Sequence, residues 1–467
     1  MMSLVPMAIG LSLTILAGCA SYQAKPIEPA ALARSFESRS LDDPALRRYI
    51  TEHQDHEAGV GEAWNLETLT LAAFYYSPEL DVARARWETS RAAARTAQQR
   101  PNPTLVLPLG YTTNAPDGTL PYLYGLGLDI PIETAGKRGY RLARANELSD
   151  AARLQIGVVA WQVRSRLRSA LLDLFAASRA SEILTRQVAA QEQIVAMLDR
   201  RFTLGAASTT DVNSAKVALL RSRNEVVQSM DRQGASRAEV ARVMGLSLGA
   251  LRQVNIGFEE FERTPAEIPL DDARRSAVLN RVDLRAALAR YEASQAALQL
   301  EIARQYPDLH IGIGYTVDSG ANKLSSQFSG IALPVFNRNE GPIAEAEGRR
   351  KEAATEALAL QAATINDIDR AVQAHQSALA ALDLQDRLLA TQTRVLQNLR
   401  RSFDTGETDR LTLISAQSTL ETSTLSRLAA RVAVQRTTGQ LEDAMQQPLQ
   451  FGAGNAVPAD LLAPTPK

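Results

Sequence analysis

The chain has 467 residues, of which 51 are basic and 52 acidic. This balance leaves no positive field that could hold a nucleic-acid backbone, so we expect no nucleic-acid partner. The sequence also contains no Ser-His-Asp signature, phosphate-binding loop or glycine fingerprint for a dinucleotide, because Gly125 and Gly127 fall inside a predicted strand. We therefore predict that the protein is not an enzyme and needs no cofactor.

The chain opens with an apolar segment that ends in a cysteine. Residues 4–16 are too few to span a bilayer, and Leu16-Ala17-Gly18-Cys19 is the pattern that a lipoprotein signal peptidase cleaves. This pattern predicts a signal peptide over residues 1–18 and lipid attachment at Cys19, the only cysteine in the sequence. No basic residue precedes Lys25, which is unusual for a signal peptide. The alternative is that Cys19 is an ordinary core residue.

Residues 19–63 form a predicted arm behind the lipid anchor. The arm contains His53 and His56, which lie among acidic residues. Two histidines at this spacing are weak candidates for zinc or copper ligands. Because no third ligand is evident, a solvated acidic arm is the alternative, and we predict no firm metal site.

Most of the remaining chain is an internal repeat. Phe202-Thr203-Leu204-Gly205 recurs 201 positions later as Phe403-Asp404-Thr405-Gly406. A period this long indicates duplication of a whole module rather than a stacked array. The sequence predicts repeats at 64–256 and 271–447, a linker at 257–270, and a disordered tail at 448–467.

Each repeat contains a predicted β-hairpin. Apolar residues alternate with small or polar ones over 104–112 and 122–132 in the first hairpin (103–132), and over 309–317 and 330–335 in the second (308–336). Four strands cannot close a membrane barrel, whose smallest bacterial examples have eight, whereas three chains would supply twelve. A soluble sheet packed on helices is the alternative.

Helical periodicity occupies nearly everything else. Each repeat predicts a helix before the hairpin, a longer one after it, and a third beyond a glycine turn; the ranges are 66–100, 139–200 and 211–244, then 271–305, 341–400 and 411–445. A helix of about 60 residues is about 90 Å long. The sequence thus predicts a mainly helical fold with transmembrane strands, in which duplicated helical hairpins form a long tunnel that turns at Gly205 and Gly406.

Several segments carry a resemblance to a known family. They are the duplicated Phe-x-x-Gly, the two hairpin openings Asn102-Pro103-Thr104-Leu105 and Tyr306-Pro307-Asp308-Leu309, and the segment from Leu333 to Gly341. On these residues the chain resembles the TolC-type outer-membrane efflux factors, and the last segment is similar to the CzcC-like branch that serves heavy-metal resistance-nodulation-division pumps.

The resemblance implies a homotrimer in the bacterial outer membrane, with a long periplasmic portion and a 12-stranded β-barrel. Such a trimer passively conducts solutes, here expected to include heavy-metal cations, from a periplasmic adaptor and an inner-membrane pump to the exterior. A conduit for drugs or secreted polypeptides is one alternative. A lipid-anchored coiled coil without a pore is the other.

The resemblance also implies roles for residues at the turns. The candidates for adaptor contact are Leu204, Gly205, Thr209, Thr405, Gly406 and Thr408. Family members close the tunnel with aspartates six and nine residues past the second glycine, but this chain has Thr412 and Ser415 there. Acidic residues gather nearby instead, and the candidates for a constriction are Asp404, Glu407, Asp409, Arg410 and Asp211. We expect Arg410 to pair with a carboxylate in a closed state; a solvated polar turn is the alternative.

Overall fold

A computed structural model describes residues 21–53, 63–115, 117–263, 270–318, 321–328 and 331–449. The predicted lipid-attachment residue Cys19, His56 and most of the predicted tail lie outside these ranges. Two short helices, α1 (Pro29–Glu37) and α2 (Pro44–His53), precede the first repeat. Among the described residues, no helix combines the length and the apolar composition needed to cross a membrane.

The first repeat runs as helices, hairpin, long helix and shorter helix. Its elements are α3 (Leu66–Tyr76), α4 (Pro78–Gln98), β1 (Thr104–Val106), β2 (Leu109–Tyr111), β3 (Tyr122–Ile132), α5 (Lys137–Thr203) and α6 (Thr209–Met244). The single helix predicted over 66–100 is wrong, because Ser77 caps a new helix whose first residue is Pro78. Pro108 likewise divides the predicted first strand, since proline cannot donate a ladder hydrogen bond.

The described part of the predicted linker, residues 257–263, is packed against the body of the protein. Two short helices, α7 (Leu248–Leu251) and α8 (Glu259–Glu262), follow α6. Phe261 of α8 is only 1% exposed and lies in the main hydrophobic core. This part of the linker, residues 257–263, therefore contributes to the core.

The second repeat has the same order as the first. Its elements are α9 (Leu270–Asn280), α10 (Val282–Ala303), β4 (Leu309–Asp318), β5 (Ala321–Phe328), α11 (Glu340–Asp404) and α12 (Arg410–Met445). The helix predicted over 271–305 is also divided, at Arg281, whose guanidinium donates to the backbone oxygen of Ala444 at the end of α12. The lengths predicted for the long helices were slightly too short, since α5 has 67 residues and α11 has 65.

The fourth strand lies earlier than predicted. Residues 331–335 form no strand, and β5 occupies Ala321–Phe328 instead. In this register Tyr315 of β4 faces Leu324, and the ammonium of Lys323 lies 2.8 Å from the carboxylate of Asp318. The alternation at 330–335 suggested a strand, but Pro334 has no N–H to donate to a strand ladder.

The described strands form one antiparallel sheet in the order β1 and β2, β3, β4, β5. Directly opposite residues share a face, so Leu126, Tyr315 and Leu324 lie together on what we call the outer face. The opposite, inner face carries Gly127 and Gly314. The outer face is apolar and exposed, with Leu324 81% accessible. Within the described chain the sheet is open at both edges.

The long helices form a second open layer. Near the sheet the helices lie side by side in the order α4, α5, α10, α11. Near the two glycine turns the order is α11, α12, α5, α6. The main core lies midway, where α3, α5 and the end of α6 meet. The leucines at 167, 171 and 174 of α5 are buried there.

Candidate functional site at the two helix reversals

Each long helix ends in the same type of turn. Gly205 and Gly406 have φ angles of 72° and 78°, in the left-handed region that favours glycine. The N–H of Gly205 donates to Phe202 O and that of Ala206 to Arg201 O, at 2.9 and 2.7 Å, and the second turn repeats this pattern. These two bonds define a Schellman motif. Both long helices therefore reverse at the glycines where the sequence predicts turns.

The helices that follow the turns begin at equivalent positions. Ser208 caps α6 and, 201 residues later, Asp409 caps α12 by accepting the N–H of Thr412 at 2.8 Å. Asp211 completes the first cap by accepting from the N–H of Ser208 at 3.0 Å. Both aspartates therefore satisfy helix termini, which is a structural role that the sequence analysis did not assign to them.

Asp409 also links the two repeats. Its Oδ2 lies 2.5 Å from the guanidinium of Arg201, near the end of α5. Hydrogen bonds from Thr412 and from Arg201 lower the pKa of Asp409 to about 2, so this carboxylate is ionised at any physiological pH. Within the chain, the arginine that pairs with Asp409 is thus Arg201 and not Arg410. The link sets both reversals at the same height.

The other predicted turn residues are on the surface. Leu204 is 82% exposed. Asp404, Thr405, Glu407 and Arg410 are exposed, as is Thr209, whereas Thr408 is half-buried. The end of the molecule therefore presents an apolar side chain together with hydroxyl, acidic and basic groups, a composition suited to contact with another protein.

A buried ionic cluster lies farther from the turns, between α5 and α12. The carboxylate of Glu442 lies 2.9 Å from Arg164 and 3.4 Å from Arg168, and these three side chains are at most 6% exposed. Asp443 accepts from Trp161 Nε1 at 2.9 Å. Burial lowers the pKa of Arg168 and raises that of Asp443. This cluster was not predicted from the sequence, in which charges at core-facing helical positions are the available signal.

Glu260 of α8 lies beside this cluster. Its Oε1 accepts the backbone N–H of Leu66, the first residue of α3, at 3.0 Å. Burial raises the pKa of Glu260 to about 7, although this hydrogen bond and the charges of Arg168 and Arg164 oppose the shift. The carboxyl group thus caps the N-terminus of α3 within the core.

The histidines form no metal centre in the described part of the chain, where no group of three or more His, Cys, Asp or Glu side chains is arranged to hold an ion. His53 places its Nδ1 2.6 Å from Tyr49 O. Its predicted partner His56 lies outside the described residues. His375 is buried beside Thr437, and this burial lowers its pKa.

Comparison with protein families matches both repeats separately. Residues 73–246 and 273–446 each match the family described as outer membrane efflux protein. The chain belongs to the outer membrane efflux protein family. The predicted TolC-type resemblance and the duplication are thereby confirmed.

Two curated relatives are identical to the chain at about a fifth of the aligned residues. The cobalt-zinc-cadmium resistance protein CzcC of Cupriavidus metallidurans is 23% identical over 295 residues, which is 63% of this chain and 70% of CzcC. The pyoverdine export outer membrane protein OpmQ of Pseudomonas aeruginosa is 22% identical, over 92% of this chain and 96% of OpmQ.

Two solved structures share the fold. CusC superposes with a TM-score of 0.67 at 17% identity, covering 81% of this chain and 91% of CusC. VceC of Vibrio cholerae also gives 0.67, at 18% identity, covering 82% of this chain and 96% of VceC. The predicted fold class, long helices with a few strands, is confirmed.

We expect alanine at either turn glycine of this family member to destabilise the protein. A Cβ at Gly205 or Gly406 meets no atom within 4 Å, so the cost comes from the backbone dihedral alone. Each of Gly205→Ala and Gly406→Ala should lower the free energy of unfolding by about 1 kcal/mol in a urea titration. Gly348→Ala, inside α11, is the control and should have the opposite sign, because alanine favours helix. Equal effects at all three positions would contradict this.

Proposed function

We propose that the chain is the outer-membrane component of a tripartite efflux system and that three copies form its channel. The observation that carries this proposal is that the sheet and the helical layer are both open at two edges. β1 and β2 form one sheet edge and β5 the other. An open edge leaves backbone groups unpaired, which a bilayer does not tolerate. Because β1 and β2 both pair with β3 and together form one edge strand, each chain contributes four strands, and three sheets joined edge to edge close a barrel of twelve strands.

The helical edges support the same closure. Large apolar side chains are exposed on α6, at Val217, Leu220, Val227 and Met230, and on α11, at Leu384, Leu388 and Val395. Val217 lies eight residues after the start of α6, and Val395 nine residues before the end of α11. Met230 lies 21 residues after the start of α6, and Leu384 lies 20 residues before the end of α11. The two stripes therefore stand at matching heights above the turns, as edges of neighbouring copies should.

The exposed turns are the proposed contact for the periplasmic adaptor, which receives solute from the inner-membrane pump. The contact residues are Leu204, Gly205, Thr209, Thr405, Gly406 and Thr408. The exposed Leu204 supplies apolar area, and the helix reversals present a narrow shape that fits between two helices of a partner. The pump class we propose is the resistance-nodulation-division type.

The channel itself is tested by purified protein in a planar lipid bilayer. We expect stepwise ionic currents from the wild-type protein, because the three-copy assembly leaves a continuous lumen. Protein that inserts and gives no current would refute the conduit and favour the coiled coil without a pore.

We propose that the Arg201–Asp409 pair helps to hold the closed state at the turns, where Asp404, Glu407, Arg410 and Asp211 also lie. The pair ties the end of α5 to the start of α12, so its loss frees the two reversals to separate. Arg201→Ala should raise the conductance several-fold in the same bilayer recording. Arg200→Ala, which changes the adjacent exposed arginine, is the matched control and should leave the current as in the wild type. Unchanged current in Arg201→Ala would remove this pair from the gate.

The proposed solutes are heavy-metal cations. CzcC, a relative named for cobalt, zinc and cadmium resistance, supports this choice. Small organic solutes are the second candidate, because OpmQ, named for pyoverdine export, matches over 92% of the chain. Deleting the gene should sensitise the cells to at least one of these metals. Sensitivity to organic compounds alone would favour the second candidate.

A lipid anchor at Cys19 is also part of the proposal. Arg39 fastens the arm to the backbone oxygens of Tyr76 and Gly245, at 3.1 and 2.8 Å. From there α4 extends about 31 Å towards the sheet, whereas residues 19–37 reach at most about 47 Å if the first ten are extended. The chain is therefore long enough to bring Cys19 to the bilayer. Labelled palmitate should enter the wild-type protein and not Cys19→Ser; equal labelling would rule this site out.

A further inference from the structure

One histidine of the sheet lies apart from the turns and has a carboxylate partner. The Nδ1 of His310, in β4, lies 2.9 Å from Oδ2 of Asp129, in β3. The two residues are diagonal neighbours, since His310 is opposite Pro131 and Asp129 is opposite Gly312. Both side chains point away from the apolar outer face, towards the inner face. In the proposed trimer, the inner face lines the lumen.

The inner positions of β3 and β4 beside this pair are mostly glycines, and small side chains, Val106 of β1 and Ser325 of β5, lie opposite Gly127 and Gly314. Gly312, Gly314 and Gly127 occupy the adjoining inner positions, and a Cβ at Gly314 would come within 3.5 Å of the Gly127 backbone. The glycines leave the imidazole accessible from the inner face: the side chain of His310 is 39% exposed and that of Asp129 is 24% exposed. A solute in the lumen can therefore reach the ring.

The hydrogen bond determines which ring nitrogen can act as a ligand. An ionised carboxylate only accepts hydrogen bonds, so Nδ1 carries the proton and, in the neutral ring, Nε2 has the free lone pair. Within the described residues Nε2 makes no hydrogen bond. A histidine that donates one N–H to a carboxylate and presents its other nitrogen is the arrangement used by metal-binding histidines. The next carboxylate, Asp308, is held separately, by Lys137 at 2.7 Å and by the N–H of Thr134 at 2.9 Å.

We propose that His310, positioned by Asp129, is a contact for divalent transition-metal ions on the inner wall, with one such contact in each subunit. Imidazole nitrogen suits Zn²⁺, Cu²⁺ and Ni²⁺, whereas Mg²⁺ prefers oxygen ligands. One protein ligand binds a metal weakly and releases it quickly, which a conduit requires. The contact is therefore a transient one along the path and not a resident metal centre. This inference rests on the proposed channel function, because it needs a lumen through which ions pass.

The test is the effect of Zn²⁺ on potassium current through the purified full-length trimer. Zn²⁺ should reduce the current and Mg²⁺ at the same concentration should not. In His310→Gln the Zn²⁺ concentration that gives half-maximal reduction of the current should rise about tenfold or more. In Asp129→Asn it should rise about tenfold, because the positioning carboxylate is lost. The double variant His53→Gln, His56→Gln is the control and should respond to Zn²⁺ as the wild type does. Equal sensitivity of His310→Gln and wild type would overturn the proposal.

Calorimetric titration of the detergent-solubilised trimer with Zn²⁺ separates this proposal from the channel function. We expect three binding events per trimer that are lost in His310→Gln and retained in the His53, His56 double variant. If the protein gives no current, the channel proposal fails, and the calorimetry still decides whether His310 binds metal. A heat of binding that His310→Gln leaves unchanged would exclude His310 as a ligand.

Discussion

Replacing Glu442 by alanine should lower the free energy of unfolding by about 3–5 kcal/mol. The substitution leaves Arg164 and Arg168 in the core without the carboxylate that lies 2.9 and 3.4 Å from them. A buried charge that loses its partner costs this much because the interior cannot solvate it. The measurement is a urea titration of the detergent-solubilised protein, followed by far-ultraviolet circular dichroism.

The matched control is an exposed pair on α11. Glu345 and Arg349 form an ion pair whose side chains are 62% and 67% exposed, so Glu345→Ala should change the stability by less than about 1 kcal/mol. If both alanine variants unfold alike, the ionic cluster between α5 and α12 contributes no more than a surface pair does. A large loss in Glu442→Ala alone would show that the cluster holds the two repeats together.

The second large effect concerns Glu260 and depends on pH. Its pKa is 4.5 in an unfolded chain and about 7 in the fold, so the folded state binds more protons between these values. The contribution of Glu260 to stability is therefore most favourable below pH 4.5 and is lost as the pH rises to about 7. Glu260→Gln keeps the acceptor for the N–H of Leu66 and removes the charge. At pH 8 the variant should be more stable than the wild type by up to about 3 kcal/mol, and most of this difference should vanish by pH 5.

Thermal unfolding of both proteins across pH 4.5–8 measures this difference. Glu259→Gln is the control, because the neighbouring Glu259 side chain is 87% exposed and its charge is solvated. That variant should follow the wild-type curve. If the stability difference between Glu260→Gln and the wild type is the same at every pH, Glu260 does not titrate between pH 4.5 and 8.

The helical architecture was largely predictable because apolar periodicity over 60 residues is a strong signal. The boundaries failed where one residue overrides the pattern, as Pro78 does between α3 and α4. The register of β5 failed for another reason. Residues 330–335 alternate and form no strand, whereas β5 has apolar residues only at 321, 324 and 328, so its pairing with β4 and not its sequence pattern identifies it as a strand.

At the turns, the sequence predicted the glycines and not the contacts. Gly205 and Gly406 are recognisable because a reversal needs a positive φ angle. The sequence places Asp409 beside Arg410, whereas its partner Arg201 lies 208 positions away and comes close only when the repeats pack side by side. The crowding of acidic residues after Gly406 is explained in part by helix capping, since Asp409 takes the position that Ser208 has in the first repeat.

The most direct test of the account is cross-linking between α6 and α11 of neighbouring copies. Val217→Cys combined with Val395→Cys places a thiol on each helical edge at nearly equal distances from the turns. Mild oxidation of intact membranes should then give covalent dimers and trimers on a denaturing gel and nothing larger, because the third copy closes the ring. Either single variant should give no such trimers. Monomers only, or a ladder that continues beyond three, would contradict a closed channel of three copies.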